Sequence, residues 1–69
     1  MARVILGVRG MTTPETAQKV KDTLLALEAV EQVEAGTDQQ ATVQYDEGSA
    51  TVMDFIRALR HAGFAAGME

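Results

Sequence analysis

The stretch RVILGVRGMTTPETA (residues 3–17) contains the change of pattern that decides the fold. Its first half is a short run of β-branched and apolar residues that ends before Gly10, which is typical of a strand. Alternation along this strand places Val4, Leu6 and Val8 on one face. Its second half is rich in the residues that favour the beginning of a helix. The stretch therefore predicts a strand that leads through a short loop directly into a helix.

The beginning of this helix can be placed in two frames. With Thr13 as the N-cap, Pro14 occupies the first helical position, where the missing N–H of proline costs nothing. With Thr12 as the N-cap, Glu15 lies where the second half of a capping box is found. Both frames predict a helix whose apolar residues recur at a spacing of about 3.5. This stripe consists of Ala17, Val20, Leu24 and Leu27.

The next segment has the pattern of a β-hairpin. VEQVEAG (30–36) is weakly apolar and alternates imperfectly, and ATVQY (41–45) alternates cleanly. The polar turn formers of GTDQQ (36–40) lie between them and predict the connection of two strands. The clean strand presents one apolar face, made of Ala41, Val43 and Tyr45.

A second helix and a final strand complete the pattern. Residues 51–62 carry an N-terminal capping pattern at Thr51 and Asp54, and Gly63 follows as a natural C′ residue. FAAGM (64–68) predicts a short strand at an edge of the sheet. The apolar stripe of the second helix consists of Val52, Phe55, Ile56, Leu59 and Ala62.

The order of elements is β-α-β-β-α-β, which indicates an α+β fold. Strands interrupted by two helices predict a ferredoxin-like sandwich, with a four-stranded antiparallel sheet and both helices on one face. At 69 residues the chain is long enough for a single domain, which we assign to residues 1–69.

Composition excludes several classes of function. The chain has no cysteine, so disulfides, cysteine metal sites and thiol catalysis are excluded. A net charge of −4 argues against nucleic acid as the main partner. The sequence has no apolar run of the ~20 residues that span a membrane, and its beginning lacks the pattern of a secretory signal. It shows no nucleophile–base pair or glycine-rich phosphate loop. We expect a cytoplasmic protein that is not an enzyme and has no cofactor.

Four short motifs give the chain a resemblance to a known family. They are GMT (10–12), AVEQV (29–33), ATVQYD (41–46) and ALRHAGF (58–64). In this order and spacing they resemble the heavy-metal-associated (HMA) domain, which occurs in copper chaperones and in the N-terminal domains of copper-transporting ATPases. The resemblance runs from about Leu6 to Ala66. It implies the ferredoxin-like fold and a loop that faces a partner.

The sequence departs from the family at its functional centre. The family motif reads roughly G-M-T-C-x-x-C, and Thr13 and Thr16 stand where it has its two metal-binding cysteines. Thiolates suit the soft Cu(I) ion, whereas a threonine hydroxyl is neutral and hard. We therefore expect no metal at Thr13 and Thr16. We interpret both as helix-capping residues. A hydroxyl pair that contacts a ligand or an anion at the helix N-terminus is the alternative. The sequence leaves open whether the cysteines were lost naturally or by engineering.

Two other residues are candidate metal ligands. Met11 is the only soft donor near the loop, and the resemblance implies that it packs inward beneath the loop. His61 is the only histidine and lies near the end of the second helix, where a surface position is expected. Weak metal binding through Met11 or His61 is an alternative reading.

The resemblance also indicates a surface for partners. Its loop residues are Gly10, Met11, Thr12, Thr13, Pro14 and Thr16, with Phe64 next to them. Candidate docking charges lie on the two helices, at Lys19, Lys21, Arg57 and Arg60. The resulting hypothesis is a degenerate HMA domain that acts as a protein-interaction or regulatory module, with a metal-transport ATPase domain or a related HMA protein as partner. The alternative is a regulatory module of the same fold that binds a small molecule.

Overall fold

The computed structural model, which describes residues 2–68, has the predicted order of strands and helices. The elements are β1 (Ala2–Arg9), α1 (Pro14–Leu25), β2 (Val30–Ala35), β3 (Gln40–Tyr45), α2 (Val52–His61) and β4 (Ala65–Met68). The strands form one antiparallel sheet in the order β2-β3-β1-β4. This is the predicted ferredoxin-like α+β fold.

The core lies between the sheet and the two helices. The register of β1 and β3 pairs Leu6 with Ala41 and Val4 with Val43, so that their apolar rows face the same side. On the helices, the completely buried side chains include Val20 and Leu59. The full set of buried residues is Leu6, Val8, Met11, Ala17, Val20, Leu24, Val30, Val33, Ala41, Val43, Tyr45, Phe55, Leu59 and Phe64.

An aromatic pair joins β3 to α2 inside this core. The ring centroids of Tyr45 and Phe55 lie 4.8 Å apart and the ring planes meet at 82°, which is an edge-to-face contact. Such pairs add about 0.5–1.5 kcal/mol to the free energy gained from burial alone. The contact packs α2 directly against β3.

The first helix ends earlier than its apolar stripe suggested. It ends at Leu25, and the N–H of Leu27 donates to the carbonyl of Leu24 at 3.1 Å in a tighter turn. The N–H of Val30 then donates to the carbonyl of Leu27 at 3.1 Å, so the chain enters β2 at once. Leu27 still packs against the core from this turn, although it is not helical. The stripe therefore predicted its burial correctly and its secondary structure wrongly.

The imperfect alternation of β2 results from a register shift. Between Val30 and Gln32 the pairing with β3 is interrupted, as in a β-bulge. The shift lets Val30 and Val33 both point into the core, although a regular strand would place them on opposite faces.

The end of α2 carries the chain back to the sheet. Gly63 has φ +94°, and its N–H donates to the carbonyl of Arg60 at 3.1 Å. The N–H of Phe64 donates to the carbonyl of Leu59 at 2.9 Å. These two bonds form the Schellman motif expected for a glycine at C′. The motif fixes the direction in which Phe64 leaves the helix.

Candidate functional site

The loop between β1 and α1 turns sharply at Gly10. Gly10 has φ +95°, a conformation that residues with a side chain rarely adopt. The turn directs Met11 into the core, where its side chain is 0% exposed. The predicted inward packing of Met11 is thus confirmed.

Phe64, directly before β4, lies against this turn. The β1–β4 register pairs Arg9 with Ala65, and this brings Phe64 beside Gly10. A Cβ atom at Gly10 would lie 3.6 Å from the ring of Phe64, which is ordinary van der Waals contact. Phe64 is 8% exposed, and the Nζ of Lys19 lies 6.0 Å from the centroid of its ring. This is the outer limit of a cation–π contact.

Thr13 and Thr16 form a closed set of hydrogen bonds. The N–H of Thr16 donates to Thr13 Oγ1 at 3.2 Å, and the N–H of Thr13 donates to Thr16 Oγ1 at 3.0 Å. The Thr16 hydroxyl donates to the carbonyl of Thr13 at 2.9 Å, which leaves the Thr13 hydroxyl as donor to Thr16 Oγ1 at 3.0 Å. Both hydroxyl hydrogens are therefore used within the pair.

The structure decides between the two capping frames. Thr13 is the N-cap with Pro14 at the first helical position, and Thr16 completes the capping box. The alternative frame, with Thr12 and Glu15, is not formed. Thr16 takes the role that glutamate or glutamine has in the usual motif, because its short hydroxyl reaches the Thr13 N–H.

This arrangement offers little to an anion at the helix N-terminus. Pro14 has no N–H, and the N–H groups of Thr16 and Ala17 already donate to Thr13. An anion would have to displace these bonds to be held by them. The geometry thus favours the capping interpretation over the ligand-contacting one.

The donors at the loop do not fit a soft metal ion. The two oxygens are neutral, hard and hydrogen-bonded to the backbone, whereas Cu(I) selects thiolate and thioether sulfur. The one nearby sulfur, in Met11, is buried in the core. His61 is exposed at the last residue of α2. Within residues 2–68 the structure forms no group of three or more histidine, cysteine, aspartate or glutamate residues that could hold a metal ion.

The four candidate docking charges do not lie together. Lys19 lies over the ring of Phe64, and Arg60 borders a groove with Phe64 and Ile56. Lys21 lies on the other side of α1, since residues two apart on a helix do not face each other. Only two of the four bases, Lys19 and Arg60, therefore lie near Phe64. The grouping of Lys19 with Arg60 was missed from the sequence because it depends on where Phe64 lies.

We call the surface around the turn the loop face. It consists of Thr12, Thr13, Pro14, Phe64, Lys19 and Arg60.

Arg57 belongs to a different groove, at the opposite ends of the helices. This groove has a volume of about 540 Å³ and is bordered by Leu27, Glu28, Ala29, Glu31, Asp46, Ser49, Ala50, Asp54 and Arg57. The four acidic residues in it are exposed to solvent. Arg57 thus lies among carboxylates, away from the turn at Gly10, although Arg60 is only one helical turn further along.

Neither helix of the described chain, residues 2–68, is long and apolar enough to cross a membrane.

Comparisons with solved structures identify the same fold. Oxidized MerP from Ralstonia metallidurans CH34 is 28% identical, with a TM-score of 0.93 over 99% of this chain and 96% of MerP. The copper-binding domain of HMA7, a P-type ATPase, is 24% identical, with a TM-score of 0.95 over 100% of this chain and 95% of that domain. The CopZ metallochaperone is 24% identical, with a TM-score of 0.90 over 96% of this chain and 100% of CopZ.

No curated protein matches the chain. The family model of the heavy-metal-associated domain matches residues 5–65, which include the turn, both helices and the first residue of β4. This match covers most of the chain and agrees with the solved structures in fold. The chain belongs to the heavy-metal-associated domain family.

Proposed function

We propose that this chain is an interaction or regulatory module that docks on a metal-transport ATPase domain or a related HMA protein and does not itself bind Cu(I). It has no enzymatic activity in this proposal, and it acts in the cytoplasm. The partner class follows from the relatives, which include a metallochaperone and a P-type ATPase domain.

The proposal rests on one observation. At the two positions where the family has cysteines, Thr13 and Thr16 hold each other and the helix N-terminus through hydrogen bonds of 2.9–3.2 Å. A threonine hydroxyl does not ionise near neutral pH, so it supplies no anionic ligand. The pair therefore keeps the turn in shape without the donors that Cu(I) requires.

The surface around the pair remains suited to a partner. Thr12, Thr13 and Pro14 are exposed, and Phe64 gives the turn an apolar support. Lys19 Nζ lies 6.0 Å from the centroid of the Phe64 ring, and Arg60 borders a groove with Phe64. Basic residues beside an exposed loop match the rim of protein interfaces, where charges guide association.

A metal titration tests the first half of the proposal. Under reducing conditions, a chromophoric Cu(I) chelator should keep its ion when the unmodified chain is added in excess. The double variant Thr13→Cys plus Thr16→Cys should withdraw Cu(I) from the same chelator, because two thiolates then occupy the loop. Submicromolar binding by the unmodified chain that survives Thr13→Ala plus Thr16→Ala would instead assign metal binding to Met11 or His61, and the proposal would be wrong.

A binding experiment tests the second half. The isotope-labelled chain is titrated with cysteine-bearing HMA domains from the same organism, including that of its copper ATPase. We expect amide shifts concentrated at residues 10–16 and around Lys19, Arg60 and Phe64. Shifts confined to the groove around Arg57 would place the interface elsewhere and contradict the proposed docking surface.

A further inference from the structure

We propose that the open edge of β4 binds an extended segment of a partner protein, in which an apolar residue is followed two positions later by Asp or Glu. The segment would add a strand to the sheet, antiparallel to β4, and place both side chains in a groove beside α2. This site goes beyond the proposed function, because the groove contains no residue of the β1–α1 loop and docking through the loop face does not require it.

β4 is an edge strand that carries little protection against further pairing. Within residues 2–68 it is the last strand of the sheet and pairs with β1 alone. The other edge, β2, carries Glu31 and Glu34 and is interrupted by its shift in register, and both features discourage the addition of a strand. β4, with the sequence AAGM, has no charge, no proline and a regular register. It is therefore the edge that stays open to another strand.

The hydrogen bonds of β1 show which of its residues face β4. The N–H of Val8 donates to the carbonyl of Gln39, directly before β3, at 2.8 Å. In an antiparallel sheet the backbone groups of successive residues point to alternate neighbours. Gly7 and Arg9 therefore direct their N–H and C=O groups to β4.

The backbone groups of Ala66 and Met68 point to the open edge. The residues of β4 that pair with Gly7 and Arg9 are Gly67 and Ala65, so their groups are used between the two strands. Ala66 and Met68 alternate with them and turn their N–H and C=O groups away from β1. An added strand would find its backbone partners there.

A groove of about 360 Å³ lies between α2 and the first half of β4. It is bordered by Ile56 and Arg60 and by residues 63–66, and no described residue of β1 borders it. Ile56 belongs to the apolar stripe predicted for α2, yet its side chain is half-buried and lies outside the core that the described residues form. The stripe is thus divided, with Ile56 turned to the groove at the open edge.

Two exposed methionines extend the apolar surface beside the groove. Met53 is 50% exposed and lies three residues before Ile56, hence on the same face of α2. Met68 is 67% exposed and pairs with the buried Leu6, so it lies on the helix side of the sheet. Flexible methionine side chains adapt to many apolar partners. This surface favours an apolar side chain on the added strand.

Arg60 gives the groove its charge. The other residues that border it, Ile56 and residues 63–66, are uncharged, although the chain as a whole has a net charge of −4. A guanidinium group matches a carboxylate in charge and in the geometry of its donors. Asp or Glu is therefore the side chain that complements this end of the groove, whereas Lys would be repelled.

The spacing along α2 sets the order of the two side chains. Ile56 and Arg60 lie four residues apart, which is about 6 Å along a helix, and residues two apart on a strand are separated by about 7 Å. The chain reverses at Gly63 between α2 and β4, so a strand antiparallel to β4 runs in the direction of α2. It passes Ile56 first and Arg60 second, which places the acidic residue after the apolar one.

Selection from a random library of displayed heptapeptides tests the proposal on the full chain. We expect enrichment of peptides in which an apolar residue is followed two positions later by Asp or Glu. The enriched peptide is then made with blocked ends, together with a form that has Lys in place of the acidic residue. The Lys form should bind about tenfold more weakly, because a hydrogen bond between charged groups is lost. Failure to enrich this pattern would overturn the inference.

Charge reversal on α2 locates the site. Arg60→Glu should bind the acidic peptide about tenfold more weakly than the unmodified chain does, and should prefer the Lys form. Arg57→Glu makes the same change of charge in the other groove and should leave the preference for the acidic peptide intact. Both arginines are exposed, so both variants should fold. Equal effects of the two variants would mean that net charge governs binding, and would overturn the inference.

Methylation of the peptide backbone tests the added strand. Only every second N–H of the peptide would point to β4, so methylation of one nitrogen at a time should weaken binding at alternate residues. A loss without this alternation would show that the peptide does not bind as a strand, and the inference would be wrong.

The last measurements separate this site from the loop face. On addition of the acidic peptide, amide shifts should concentrate at Ile56, Arg60 and residues 63–68, and Lys19→Glu should leave peptide binding intact, since Lys19 does not border the groove. Shifts in the groove around Arg57 would overturn the inference and leave the proposed function standing. Peptide binding without docking on HMA domains would do the reverse. Sedimentation of the chain alone should show a monomer, and a dimer that excludes the peptide would assign the edge to a second copy and overturn the inference.

Discussion

The hydroxyl oxygens of Thr13 and Thr16 lie 3.0 Å apart, and each hydroxyl also accepts the backbone N–H of the other residue. Two positions that hold metal ligands in relatives of this chain thus serve here to begin a helix. An oxygen is a better hydrogen-bond acceptor than a sulfur, so threonine suits this second task. In this chain the loop is held by hydrogen bonds between the two threonines.

The capping pair should contribute measurably to stability. Thr13→Ala should lower the free energy of unfolding by about 1 kcal/mol, because the N–H of Thr16 loses its acceptor. Thr16→Ala removes the reciprocal bond, so the two changes should be coupled by at least about 0.5 kcal/mol in a double-mutant cycle. Urea unfolding followed by circular dichroism measures both quantities.

The control for this cycle is Thr12→Ala. Thr12 is exposed and lies outside the reciprocal pair, so its replacement should change stability by less than about 0.5 kcal/mol. If Thr12→Ala cost as much as Thr13→Ala, the helix would begin in the other frame in solution.

The buried face of α2 should not tolerate a charge. Leu59 is 0% exposed, and Leu59→Asp would place an unpaired carboxylate in the core at a cost of several kcal/mol. A domain of this size has a total stability of about 5 kcal/mol, so the variant should be unfolded. Far-ultraviolet circular dichroism and the dispersion of amide signals report the result.

Met53→Asp is the matched control on the same helix. Met53 is 50% exposed, so the same new charge can remain hydrated, and the variant should fold. A folded Leu59→Asp variant would contradict the packing of α2 described here.

Much of this fold could be predicted from the sequence, because the local preferences of the residues agree with the way the elements pack. The glycine after α2, the threonine before α1 and the alternation of β3 each predicted what the structure shows. The separation of Lys19 from Lys21 follows from their spacing on α1, whereas the separation of Arg60 from Arg57 did not follow from the sequence. It depends on the β1–β4 register, which brings Phe64 to one side of the turn. Spacing along a helix cannot supply that register.

Having glycine at position 63 should add about 1 kcal/mol to the free energy of unfolding, relative to a residue with a side chain. A Cβ at Gly63 would meet no atom within 4 Å, yet its φ of +94° is unfavourable for any residue with a side chain. Gly63→Ala should therefore destabilise the protein through backbone strain alone. Gly67 has the same free space without the positive φ, so Gly67→Ala should be neutral or slightly stabilising. Equal midpoints in thermal unfolding of the two variants would contradict the Schellman motif at the end of α2.

Phe64 should stabilise the turn more than the rest of the molecule. Phe64→Ala removes the ring that lies against the turn at Gly10 and should raise amide hydrogen exchange at Met11 before it affects the centre of the sheet. The cost to global stability should be about 2–3 kcal/mol, since the ring is slightly exposed and lies at the border of the core. Phe55→Leu is the comparison variant. Phe55 lies on α2, is completely buried and packs against Tyr45 of β3, so its replacement should raise exchange throughout the core. A uniform rise in exchange for both variants would show that the turn has no local stability of its own, and that Phe64 acts only as part of the general core.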